Sequence, residues 1–169
     1  MLAFGFRISA GALVRAEKRI AARCLPTYTA LIAMVRKAEV VHADETGWYV
    51  VEAAAKSWLW VFAAAEPRIT LYAIRLSRSG DVVNEILGAD FEGVLGIDGW
   101  AGYIKVACRK GQCSAHLLRR CAELLEVQKQ GAARFAHAVQ RLLLAGICLK
   151  SFATTMPAHN YARWCGEIR

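Results

Sequence analysis

Apolar positions recur near a 3.6-residue spacing through residues 9–38, where Leu13, Ala16, Ile20 and Leu25 mark one helix side and Ser9 offers an N-cap. Pro26 interrupts the run and suits the first turn of a new helix, so two helices are predicted, the second reaching Lys37. The period then shortens to that of strands. Val40-Val41-His42-Ala43-Asp44 is a β-branched run that stops on an acid, and Trp48–Glu52 reads as a second strand before a turn around Ala55 and Lys56. Aromatic-rich Trp58–Phe62 and then Ile69–Arg75, after the break at Glu66-Pro67, complete what this spacing predicts to be an antiparallel meander. Ser79–Leu87 reads as a serine-capped helix, and Gly93–Asp98 repeats the device of an apolar strand ending on an aspartate. A short helix with Tyr103 follows Gly99. Past a brief segment around Gln112-Cys113, long helices are predicted from near Ala115 to Lys129 and from Ala132 to Leu149. Ser151–Arg169 contains Pro157 and little periodicity.

Helices, a meander, a helix, one more strand and further helices describe an α/β chain. A ribonuclease-H-like mixed sheet with an antiparallel meander, preceded by two helices and followed by long helices, fits this order, which by itself leaves other α/β arrangements open. The corresponding divisions are a helical segment 1–38, a partial core 39–149 and a divergent tail 150–169.

With 56% hydrophobic and 21% charged residues the chain is globular and not disordered. The longest apolar run, Leu142–Leu149, is short of the roughly 20 residues a membrane span needs, so no membrane partner and a cytoplasmic location are expected. Six scattered cysteines without a secretory signal are expected to be reduced. The net charge of +8 changes the picture more, because of where it lies: residues 1–100 balance eleven Lys/Arg against eleven Asp/Glu, and residues 101–169 carry the whole excess. A basic half beside a neutral half points to a polyanion such as nucleic acid, the plain alternative being a solvated helix face.

Asp44 and Asp98 are the sharpest chemical candidates, since each ends an apolar strand. Carboxylates brought together by neighbouring strands stay ionised cheaply only around a cation, and Mg²⁺ or Mn²⁺ would take their oxygens together with those of phosphate. As turn or cap residues the same acids would have no chemistry. Arg109, Lys110, Arg119, Arg120 and Lys129 are candidates for contact with DNA phosphates. Cys113 and His116 supply only two of the four ligands of a structural zinc site, with Cys108, Cys121 and His137 as distant recruits. No phosphate loop, nucleophile elbow or His-Glu-x-x-His motif occurs.

His42-Ala43-Asp44-Glu45-Thr46-Gly47-Trp48 resembles the first-aspartate motif of the insertion-sequence-66 transposases. Trp58-Leu59-Trp60-Val61 resembles the strand that follows it, and Gly93 through Tyr103 resembles the second-aspartate motif. Gln112-Cys113-Ser114-Ala115-His116-Leu117-Leu118-Arg119-Arg120 resembles the family's Cys-x-x-His element with its basic helix, which implies that His116 packs near the acids or contacts DNA. The order and spacing agree over about residues 8–149. The resemblance implies a DDE-type core that cuts and joins transposon ends with metal ions and three acids, Asp44 and Asp98 being the first two. Glu45, on the other side of its strand, is expected to be structural.

The chain also departs from that pattern. The third acid, a glutamate in an Asn-Asn-x-x-Glu setting, has no counterpart; Glu123 and Glu126 come too early, and Glu167 is expected to lack a hydrophobic helix to hold it. Glu52-Ala53-Ala54-Ala55-Lys56 replaces an expected glycine turn, and the tail from Ser151 does not read as family sequence. A truncated, inactive transposase fragment is therefore expected, with DNA and full-length transposase subunits as partners. A non-catalytic DNA- or protein-binding remnant is the alternative.

Overall fold

The computed structural model describes residues 2–3, 5–49, 56–126 and 130–167. The replaced turn at 52–55 and Lys129 lie outside them. The chain forms two compact units, Met1–Gly111 and Gln112–Arg169.

The first unit opens with a small hairpin of β1 (Leu2–Ala3) and β2 (Phe6–Arg7), followed by α1 (Ala10–Val35). Ser9 caps α1 as its sequence suggests, its hydroxyl accepting the Ala12 amide at 3.2 Å. The two helices expected around Pro26 are one: Pro26 lies inside α1. The carbonyl four residues back, at Ala22, is on an exposed turn open to solvent, so the proline removes one helical bond without ending the helix.

β3 (Val40–Trp48), β4 (Ser57–Ala64) and β5 (Ile69–Arg75) make the antiparallel meander; α2 (Asp81–Leu87), β6 (Val94–Ile97), a 3-10 helix (Ala101–Lys105) and β7 (Arg109–Gln112) follow. The five strands order as β5-β4-β3-β6-β7, with β6 parallel to β3. This is a mixed α/β sheet with helices before and after it, consistent with a ribonuclease-H-like fold. Trp48, expected to begin a second strand, instead closes β3. Pairing of Glu45, Thr46 and Gly47 with Trp60, Leu59 and Trp58 carries the strand through a stretch that its propensities alone would have ended.

Alternation along β3 buries Val41 and Ala43 and exposes Val40, His42 and Asp44. The buried side joins Trp60 and Phe62 of β4, Leu71 and Ala73 of β5, and Leu95 and Ile97 of β6, under Val35 of α1 and Val82, Val83, Ile86 and Leu87 of α2. Trp60 and Phe62 are fully buried and stacked at 6.2 Å, and a ring the size of Phe62 contributes roughly 1.5–3 kcal/mol by leaving water. α2 is held at both ends. Ser79 Oγ accepts the Asp81 amide at 3.0 Å, one residue before the cap position, and Arg36 donates to the carbonyls of Ile86 and Glu85 at 2.7 and 2.9 Å.

The second unit is helical: α3 (Ser114–Glu126), α4 (Gln130–Ser151) and α5 (Ala158–Glu167). α5 falls in the tail where no periodicity predicted it. Among the described residues, Cys121 and Ala136 are the buried apolar positions of this unit, while Phe135, Leu142, Leu144, Ile147 and Trp164 are exposed. Residues Gly131–Ser151 of α4 are long and apolar enough to cross a membrane, with a mean hydropathy of 1.2, which the run-length reading did not register. Arg141 stands at the midpoint of that stretch, where a bilayer would charge about 2.5–3.5 kcal/mol for it. The stretch is a weak signal and does not assign a span.

Candidate metal and nucleic-acid site

The two aspartates lie on, and just past, adjacent parallel strands. Val40 lies opposite Val94, Val41 opposite Leu95 and His42 opposite Gly96; Asp44 and Asp98 each stand two positions past the last of these pairs, Asp98 just beyond the end of β6. Asp98 follows the end of β6, as its motif suggests. Asp44 does not end its strand: β3 runs four residues beyond it, and it is β6 that stops. Even-numbered positions of both strands share the face turned away from the core, and His42 confirms this by lying over Gly96, where an added Cβ would meet its Nδ1 at 2.3 Å.

Each carboxylate has one oxygen held by backbone. Asp44 Oδ1 accepts the Glu45 amide at 3.0 Å and Asp98 Oδ1 accepts the Trp100 amide at 2.8 Å. Glu45 lies on the opposite, core side of β3, where its carboxylate accepts from Arg78 and from the Tyr103 hydroxyl. Burial pushes the Tyr103 phenol well above its ordinary range, its hydrogen bond to Glu45 adds to the push, and the charges of Glu45, Asp98 and Asp44 add further. Asp44 and Asp98 thus both lie within electrostatic reach of one phenol.

Two neighbouring carboxylates would suit one hard divalent ion only if water and phosphate supplied its other positions. A two-ion site needs more. Among the described residues no group of three or more His, Cys, Asp or Glu side chains is placed to hold one ion, whether around the aspartates or around Cys113 and His116.

The basic candidates divide between the two units. Arg109 and Lys110 are exposed on β7, and Lys110 donates to the carbonyls of Val106 at 2.6 Å and Cys108 at 3.3 Å, fastening its own loop. His116, Arg119 and Arg120 belong to α3, where spacings of three and four residues set them along one side; the arginines are exposed and His116 is half-buried. His42, Arg78 and Tyr103 were not among the sequence candidates. His42 was available from the period-two pattern, two positions before Asp44; Arg78 had no signal in the chain around it.

Comparison with curated protein sequences gives no match. Among solved structures, the chain is similar to a chain in a cryo-EM structure of the simian T-cell lymphotropic virus intasome in complex with PP2A regulatory subunit B56 gamma. The likeness spans 73% of this chain and 45% of that one, at 11% identity and a TM-score of 0.36, a level that adds nothing to the fold assignment. A sequence model described as Transposase IS66 family matches residues 1–161. That match takes in residues on both sides of the 8–149 stretch in which the resemblance was read, including most of the tail beyond Ser151. The motifs, the sheet and a match over nearly the whole length agree: the chain belongs to the IS66 transposase family.

Proposed function

We propose that the chain is the two-acid part of a DDE-type transposase core, in which Asp44 and Asp98 hold Mg²⁺ or Mn²⁺ against a phosphodiester at a transposon end. The observation that supports this reading is the parallel pairing of β3, which carries Asp44, with β6, which Asp98 follows. The ion, when bound, supplies charge neutralisation and activation of a water or 3′-hydroxyl. The protein's own part is to fix two carboxylates by backbone donors and to hold the DNA. For that, Arg109 on β7 and, separately in the helical unit, Arg119 and Arg120 with His116 on α3 are proposed to contact phosphates; Lys110 shares its ammonium with its own loop.

The chain holds no third acid in the expected setting, so by itself it is proposed to be inactive or nearly so in strand transfer. The second reading is a DNA- or protein-binding remnant without catalysis, favoured by the +8 charge concentrated after residue 100 and by the exposed apolar residues of α4, which suit full-length transposase subunits. We place it in the cytoplasm on the family alone. Isothermal titration with Mn²⁺ separates the readings, using the native chain, Asp44→Asn and Asp98→Asn. Binding that either substitution abolishes supports the acid-pair reading. A folded native chain that binds no metal leaves the remnant.

A further inference from the structure

We propose that Glu45 and Arg78 are positioning residues for Asp98, fixing its carboxylate by way of Trp100. The inference rests on reading Asp44 and Asp98 as the metal-binding pair. Its starting point is a carboxylate in an unfavourable place. The Glu45 side chain is 1% exposed, and burying a charge is tolerated only when it is paired and hydrogen-bonded. Arg78 meets Oε1 through Nε at 2.9 Å and Nη2 at 2.8 Å, and the Tyr103 hydroxyl donates to Oε2 at 2.5 Å.

Both partners reach onward to the second aspartate. Tyr103 belongs to the 3-10 helix just after Asp98. The Arg78 guanidinium lies between two indoles, 4.7 Å from the Trp58 ring centre and 4.4 Å from that of Trp100. Trp100 meets Tyr103 edge-on at 5.6 Å and donates its backbone amide to Asp98 Oδ1 at 2.8 Å. The turn bearing Asp98 is therefore fastened at its second and fifth following residues to a buried charge on the far side of β3. Little slack remains. A Cβ on Gly102 would fall 2.0 Å from the Trp100 ring, and one on Gly80 would fall 2.5 Å from the Gly102 carbonyl oxygen. Glu45 and Arg78 touch no reacting group and act through Trp100.

The test follows amide hydrogen exchange at Trp100 by NMR in the full chain, alongside Mn²⁺ titration. Arg78→Lys keeps the positive charge beside Glu45 but removes the flat surface against Trp100, and Glu45→Gln keeps the shape but removes the charge. Expected in both are exchange at Trp100 about tenfold faster, unchanged exchange at Phe62 in the core, and Mn²⁺ affinity about ten- to a hundredfold weaker. Unchanged exchange at Trp100 overturns the proposal. So does equal acceleration at Trp100 and Phe62, or loss of folding in both variants, since either marks a general structural role. If the native chain binds no Mn²⁺ while Trp100 alone responds, the positioning holds and only the metal reading falls.

Discussion

A methyl group at Gly96 would fall 2.3 Å from Nδ1 of His42, so the ring and the bare backbone beside the aspartates require each other. Gly96→Ala is expected to cost about 1–3 kcal/mol by overpacking, and adding His42→Ala should recover most of it. Urea unfolding of the two single variants and the double variant checks this; simple additivity would refute the clash. Tyr103 makes a second prediction. Its phenol is raised above its ordinary value, so the folded protein retains that proton where the unfolded chain loses it. The stabilisation is complete below about pH 10 and is lost as pH rises beyond it. Tyr103→Phe should flatten that alkaline fall in a melting series, while costing about 1.5–3 kcal/mol at neutral pH through the lost bond to charged Glu45. At this scale Asp44 and Asp98 were legible because short motifs carry them. Arg78 was not, because the partner that gives it a role is 33 positions away, as Tyr103 is 58 from Glu45.

Elements were legible where their own pattern decides them. Ile69–Arg75 was read at its observed bounds, an alternating strand with a break before it. β7 was not foreseen, since Arg-Lys-Gly-Gln has no apolar alternation; it is an edge strand, and neighbouring β6 supplies what its sequence lacks. α1 shows the opposite error, a proline given more authority than it has. Val35 is its fully buried residue and Tyr28, Leu31 and Ile32 pack partly against the core, all C-terminal to Pro26, so the exposed turn before Pro26 has little tertiary support. Pro26→Ala should raise helical signal at 222 nm and slow amide exchange around residues 21–31, by up to about 3 kcal/mol locally. The sheet should be untouched, and a shift in exchange at Phe62 would contradict that independence.

For the whole molecule, charge is the property with the longest reach. The sequence placed the excess after residue 100, and Arg119 and Arg120 are exposed on α3. If they contact phosphates, Arg119→Ala and Arg120→Ala should each lower the slope of log affinity against log salt by about 1, across DNA sequences alike. A slope that does not move would put the phosphate contacts elsewhere. The sheet order was legible only as a class, because strand order depends on contacts between distant parts of the chain.

The pairing of β3 with β6 has a consequence for the order of assembly. The meander closes by short returns, Trp48 facing Ser57 nine positions on, whereas Val40 must wait for Val94, fifty-four positions on. Loop closure makes the distant partner the slower to arrive. Asp44 is in place on the early hairpin while Asp98 is still unattached, so the aspartate pair exists only once the late strand has docked. A chain in which only the meander has formed therefore carries Asp44 alone, and on the proposed metal reading its hold on an ion waits for β6 to dock.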